Sequence, residues 1–120
     1  MKIVIAEDSV LLSKLLRHTL SGVEGFSVVG TAGDGVRALE MVRELHPHLL
    51  VLDISMPFMD GIEVLKTLRA EDSSTVIVMF TAETSPQVRQ ICLDAGANYF
   101  LDKSQVTELV EICSLQLLAL

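Results

Sequence analysis

The run Leu49-Leu50-Val51-Leu52 ends in Asp53, and the run Ile3-Val4-Ile5-Ala6 ends in Glu7-Asp8. Short, continuously apolar, β-branched runs are the pattern of strands buried on both faces, as in a parallel sheet covered by helices. In such sheets ligands bind outside the carboxyl ends of the strands. Two strands thus deliver three carboxylates to the one edge where chemistry is expected. Thr81 follows a third run, Val76 to Phe80, and Lys103 follows a fourth, Tyr99 to Leu101.

Outward from these runs, the pattern alternates between strand and helix periods along the whole chain. Strands are expected at Lys2–Ala6, Phe26–Thr31, His48–Leu52, Thr75–Phe80 and Asn98–Leu101. Helices are expected at Ser9–Ser21, Val36–Leu45, Ile62–Ala70, Pro86–Ala95 and Gln105–Leu118, the first with Leu12, Leu16 and Leu20 on one stripe. Pro47 breaks the second helix, and the loop holding Met56-Pro57 and Asp60-Gly61 opens the third. Right-handed crossovers then place helices on both faces, giving one doubly wound α/β domain.

Composition agrees. A chain of 120 residues buries roughly 65–70% of its extended surface. Half of it is hydrophobic and only 4% aromatic, so the core is aliphatic. The net charge of −7 argues against binding of nucleic acid or an anionic membrane surface. No stretch approaches the ~20 apolar residues needed to span a bilayer. Met1-Lys2 leads directly into a strand, which leaves no room for a signal peptide. Cys92 and Cys113 both fall in helical patterns and need not pair, which points to a reducing cytoplasm.

Glu7, Asp8 and Asp53 held together repel one another and raise at least one pKa. A hard divalent cation removes that cost, and Mg²⁺ prefers one or two carboxylates, a carbonyl and several waters. Lys103 and the Thr81 hydroxyl add a cation and a donor suited to phosphoryl oxygens. Phosphoryl transfer needs mainly positioning and charge neutralisation, and this set supplies both.

Glu7-Asp8-Ser9, the block from Asp53 through Met56-Pro57 to Asp60-Gly61, Thr81-Ala82, Ala95-Gly96-Ala97 and Lys103 occur in one order and spacing. Through them the sequence resembles the receiver domain of two-component response regulators, the CheY-like superfamily, over essentially its whole length. The resemblance implies a (βα)5 flavodoxin-like fold with a five-stranded parallel sheet in the order 2-1-3-4-5. It implies one receiver domain over residues 1–120, with no output domain in this chain. It makes Asp53 the phosphoacceptor, taking a phosphoryl group from the phosphohistidine of a sensor histidine kinase or a histidine phosphotransfer protein. Asp8 and Asp53 become Mg²⁺ ligands by side chain, Ser55 by its backbone carbonyl, and Glu7 through water. Thr81, Lys103 and the Ala82 backbone N–H hold the phosphoryl oxygens, and Thr81 and Phe100 form the switch. The implied product is a signalling domain that catalyses its own phosphorylation and dephosphorylation, not a conventional enzyme.

Several residues carry two readings. Ser55 and Glu83 lie two positions beyond Asp53 and Thr81, where the resembling family modulates phosphorylation rates, although a loop glutamate can simply be solvated. Phe100 lacks the hydroxyl that its neighbour Tyr99 carries, so packing alone must bias the switch. Ser104 stands where many receivers have a proline with a cis peptide, leaving the geometry at Lys103 open. The last helix puts Val106, Leu109, Val110, Cys113 and Leu117 on a core stripe and leaves Ile112, Leu115, Leu118 and Leu120 off it. That surplus suits a homodimer or output contact through helix 4, strand 5 and helix 5, or a following segment that covers it. Leu11 and Leu15 suit kinase docking by the first helix, but core burial is the simpler expectation. His46 and His48, at the opposite end of the sheet, are expected to be solvated.

Rival readings fare worse. Gly30, Gly33 and Gly35 reverse the dinucleotide fingerprint and follow the wrong strand. A flavin mononucleotide site would meet repulsion from Glu7-Asp8, and an aspartyl-phosphate phosphatase needs an acid where Ser55 stands. The alternative that remains is a receiver-like interaction module that works without phosphorylation. Such modules usually lose an acid or the lysine, and this chain retains all of them.

Overall fold

The computed structural model describes residues Met1–Leu120. Ten elements alternate: β1 (Lys2–Ala6), α1 (Val10–Ser21), β2 (Ser27–Ala32), α2 (Gly35–Leu45), β3 (Leu49–Leu52), α3 (Gly61–Ala70), β4 (Val76–Thr81), α4 (Pro86–Asp94), β5 (Tyr99–Asp102) and α5 (Val106–Leu118). The strands form one parallel sheet in the order β2-β1-β3-β4-β5. Every expected element is present, with boundaries moved by a residue or so. Thr75 is one such shift: its hydroxyl donates to the Pro47 carbonyl at 2.9 Å ahead of β4.

Strand alternation divides the core into two layers. Val4, Ala6, Leu50, Leu52, Ile77, Met79 and Phe100 pack with α2, α3 and α4. Ile3, Ile5, Leu49, Val51, Val78, Phe80 and Leu101 point the other way, against α1 and α5. Cys92 lies in the first layer and Cys113 in the second, so the sheet separates the two free thiols.

Helices α1 to α4 begin on Ser9, Asp34, Asp60 and Ser85, whose side chains each accept the N–H three residues on. Two glycines bring the β3–α3 loop close. A Cβ on Gly61 would lie 2.0 Å from the Asp53 carbonyl oxygen, and one on Gly35 would lie 1.8 Å from that of Met59. Side chains at either position would push this loop off the end of β3.

Three expectations are corrected. Leu11 and Leu15 are not buried but 71% and 55% exposed. Only the stripe Leu12-Leu16-Leu20 meets the sheet, and each exposed leucine precedes a stripe residue by about 100° of helix. Ile112, expected off the core stripe, packs on the α1/α5 layer because it follows Leu109 by one turn. His48 is exposed but not merely solvated, since its Nδ1 accepts the Lys2 N–H at 2.9 Å. Leu115, Leu118 and Leu120 are exposed as expected. All peptide bonds are trans, including Lys103–Ser104. No helix is long and apolar enough to cross a membrane.

Candidate functional site at the carboxyl edge of the sheet

The edge of the sheet gathers the residues that the strand ends pointed to. Glu7 and Asp53 leave β1 and β3 side by side, bound to the frame by Glu7 N–H to Ala32 O at 2.9 Å and Asp53 N–H to Ala6 O at 3.0 Å. Both carboxylates are buried, 3% and 2% exposed, whereas Asp8 is exposed. One carboxylate oxygen from each of Glu7, Asp8 and Asp53 lies within 4.8 Å of the other two.

One cation pairs with the two buried acids. Lys103 Nζ stands 2.8 Å from Glu7 Oε1 and 2.9 Å from Asp53 Oδ2. The ammonium is the sole partner of those two buried oxygens. Asp53 Oδ1 is buried with no partner at all. A buried oxygen left unpaired is costly and calls for an explanation, of which an ion is one. Glu7 Oε2 is better served, accepting the Ser9 N–H at 2.9 Å at the start of α1.

These contacts set the charges. Burial pushes the Glu7 carboxyl up, outweighing the lowering by its bonds from Lys103 and Ser9, and nearby Asp53 adds to the rise. For Lys103, desolvation works downward, but the bonds to Glu7 and Asp53 prevail and hold its pKa above the ordinary lysine value. The lysine therefore stays an ammonium at neutral pH.

Other candidates surround this cluster. Thr81 is fully buried at the end of β4, and its Oγ1 accepts the Glu83 N–H at 3.2 Å. Glu83 and Ala82 are exposed on that loop, as is Ser55 two residues beyond Asp53. Phe100 is packed inward, 8% exposed, with the Arg89 guanidinium 5.9 Å from its ring centre. A cavity of about 180 Å³ opens beside Glu7 and Asp8, bordered by Ser13, Lys14 and Thr31. The largest cavity, about 320 Å³, lies at the opposite end of the sheet around His46, Glu71 and Thr75, remote from the acids.

Sequence reasoning overlooked three residues here. Arg89 carries no motif, and only the fold brings it over Phe100. Asp102 and Gln105 bracket Lys103 with hydrogen bonds. The spacing Asp-x-x-Gln is that of a capping box, which was the available signal.

The profile of the response regulator receiver domain matches residues 3–114. The chain is 43% identical over 103 residues to the response regulator MprA of Mycobacterium leprae, covering 86% of this chain and 44% of that protein. It is 39% identical over 103 residues to protein-glutamate methylesterase/protein-glutamine glutaminase 5 of Myxococcus xanthus, covering 85% of this chain and 30% of that protein. It therefore spans less than half the length of these curated relatives. Among solved structures, the signal receiver domain of the response regulator NarL from Mycobacterium tuberculosis superposes with a TM-score of 0.90 at 32% identity, over 96% of this chain and 94% of that one.

Proposed function

The chain belongs to the response regulator receiver domain family, and we propose that it serves as a phosphorylation-dependent switch with Asp53 as the phosphoacceptor. The observation that carries this reading is Asp53 Oδ1, a buried carboxylate oxygen without a partner, beside an Oδ2 that Lys103 holds at 2.9 Å. One oxygen is tethered and the other is free to react.

The donor set suits Mg²⁺: Glu7, Asp8 and Asp53 each offer a carboxylate oxygen within 4.8 Å of the other two. Asp8 and Asp53 would hold the ion by side chain, Ser55 by its carbonyl and Glu7 through water. Bound there, it would neutralise charge between the acids and the phosphoryl oxygens.

The chain's own residues do the rest. Asp53 Oδ1 attacks the phosphorus of a phosphohistidine; the O–P bond forms as the P–N bond breaks. The electron pair stays on the imidazole nitrogen, and the ring leaves neutral with its proton on the other nitrogen. Lys103, already an ammonium, turns from Asp53 Oδ2 toward a phosphoryl oxygen. The Thr81 oxygen accepts from Glu83, so its own proton is available for a second phosphoryl oxygen, with the Ala82 N–H as a further donor. Drawing Thr81 toward the phosphoryl group alters the packing beside Phe100 and passes the change to the face formed by α4, β5 and α5. Catalysis on this reading extends only to the chain's own phosphorylation and dephosphorylation.

The donor is a sensor histidine kinase or a histidine phosphotransfer protein. Val10, Leu11 and Leu15, exposed on α1 next to Asp8, supply an apolar landing surface for it. Exposed Ile91, Leu115 and Leu118 support control of a homodimer or output contact on the α4–β5–α5 side.

Intact mass after incubation with acetyl phosphate and Mg²⁺ tests the reading. The expected outcome is a gain of one phosphoryl group that needs Mg²⁺ and disappears in Asp53→Asn. No gain, with beryllofluoride also failing to bind, would leave the phosphorylation-independent interaction module.

A further inference from the structure

Lys103 has a long way to reach. Adjacent strands lie about 4.8 Å apart and β4 intervenes, so β5 stands about 10 Å from β3, and the Lys103 and Asp53 side chains must reach toward each other to meet. A flexible stem at that reach delivers its ammonium only if the backbone beneath it is fixed. On one side the Lys103 N–H donates to the Thr81 carbonyl at 3.2 Å. On the other, three bonds close around the residue without touching its side chain. Asp102 Oδ1 accepts the Ser104 N–H at 2.7 Å. The Asp102 N–H donates to Gln105 Oε1 at 2.9 Å. The Gln105 N–H donates back to the Asp102 carbonyl at 2.9 Å.

This ring replaces an ordinary helix start. Helices α1 to α4 each have a Ser or Asp side chain turned forward onto their first turn. At α5 the corresponding residue is Gln105, and it makes no such bond. Its amide oxygen is turned backward, to the residue before the lysine. Bonds from Ser104 also hold the Asp102 carboxyl below its usual value, so it is a charged acceptor at neutral pH.

We propose that Asp102 and Gln105 form a clamp that sets the position of Lys103 for the phosphoryl group, making both of them positioning residues. The proposal rests on the reading of Asp53 given above. It assigns a task to two residues that never meet the phosphoryl group and that stand where a Ser follows the lysine.

Beryllofluoride binding in saturating Mg²⁺ tests the clamp, alongside Mg²⁺ affinity alone and the thermal midpoint. Asp102→Ala and Gln105→Ala are each expected to weaken beryllofluoride binding about tenfold, since small misplacements of a binding group cost that much or more. Mg²⁺ affinity is not weakened, because its ligands lie on other strands and lose only a competing ammonium, and the midpoint shifts by no more than about 5 °C. Asp102→Asn keeps the acceptor oxygen and restores binding. The double alanine variant loses no more than either single one, because the ring is already open. Unchanged beryllofluoride affinity in both alanine variants overturns the clamp. So does a loss shared equally by Mg²⁺ affinity and thermal stability, or a failure of Asp102→Asn to restore binding. Failure of the wild-type chain to bind beryllofluoride overturns the reading of Asp53 itself, and is seen before any substitution is made.

Discussion

The two edges of the sheet treat polar groups in opposite ways. At the amino edge each buried or half-buried polar group has its partner. The Thr75 hydroxyl donates to the Pro47 carbonyl, and the Lys2 ammonium donates to the Leu45 carbonyl at 2.8 Å. Arg69 donates to the carbonyls of Gly96, Ser73 and Thr75 and to Asn98 Oδ1, all at 2.8–2.9 Å. At the carboxyl edge two buried carboxylates share one lysine, and one oxygen has nothing. One edge holds the sheet together. The other stores unmet electrostatic demand, which a phosphoryl group and a cation can meet.

The largest effect expected from breaking this contrast is at Arg69. Its guanidinium joins the end of α3 to the loops before β4 and β5, and Arg69→Ala leaves three carbonyls without their donor, while Asn98 Oδ1 keeps the Ile77 N–H at 2.8 Å. Hydrogen bonds from a charged donor are individually stronger than neutral ones, so a loss of about 3 kcal/mol is expected in urea unfolding. Phosphoryl acceptance by the folded fraction should persist, because no bond of Arg69 reaches the acids. A loss below about 1 kcal/mol would show that the amino edge does not carry this load.

How much of this contrast was legible in advance differs by edge. Asp53, Glu7-Asp8, Thr81 and Lys103 could be read because each ends an apolar run, and strand direction alone sends run ends to one edge. Arg69 could not be read, because its acceptors are four residues scattered over two loops that only the fold brings together. The exposure of Leu11 and Leu15 was misread for a related reason. Their spacing is helical, but periodicity does not say how wide a stripe the sheet can cover. Asp102 and Gln105 are readable as a pair only when the end of β5 is treated as the cap of the next helix.

A smaller effect, of opposite sign, is expected at Glu7. Burial raises its carboxyl pKa, so between the ordinary carboxylate value and that raised value the folded chain binds more protons than the unfolded one. Its contribution therefore becomes more unfavourable as pH rises through that window, and above it the whole cost remains. Glu7→Gln should accordingly be more stable than the wild type at neutral pH in EDTA. The gap should close as pH falls through the raised value. Glu71, at the amino edge, runs the other way. Its bond from Arg43 holds its carboxyl below the usual value, so its contribution is present above the ordinary carboxylate range and is lost as pH falls through the lowered one. Urea unfolding of Glu7→Gln and Glu71→Gln against pH should give differences from wild type that carry opposite signs at neutral pH. Equal signs would erase the distinction between the edges.

The smallest stability effect is expected on the outer side of α1, which borders the carboxyl edge. Leu15 is 55% exposed and Leu16, the next residue, is 2% exposed within the α1/α5 layer. Leu16→Ala opens a cavity in that layer and should cost about 2–5 kcal/mol. Leu15→Ser removes little buried surface and should stay within about 0.5 kcal/mol of wild type. If the apolar side of α1 serves the phosphodonor, Leu15→Ser should slow transfer from a phosphorylated histidine phosphotransfer domain while leaving acetyl phosphate, which needs no docking surface, unaffected. A variant that slows both reactions equally would place Leu15 in the support of the acids rather than in docking. One that slows neither would leave the exposed leucines of α1 without a part in phosphoryl transfer.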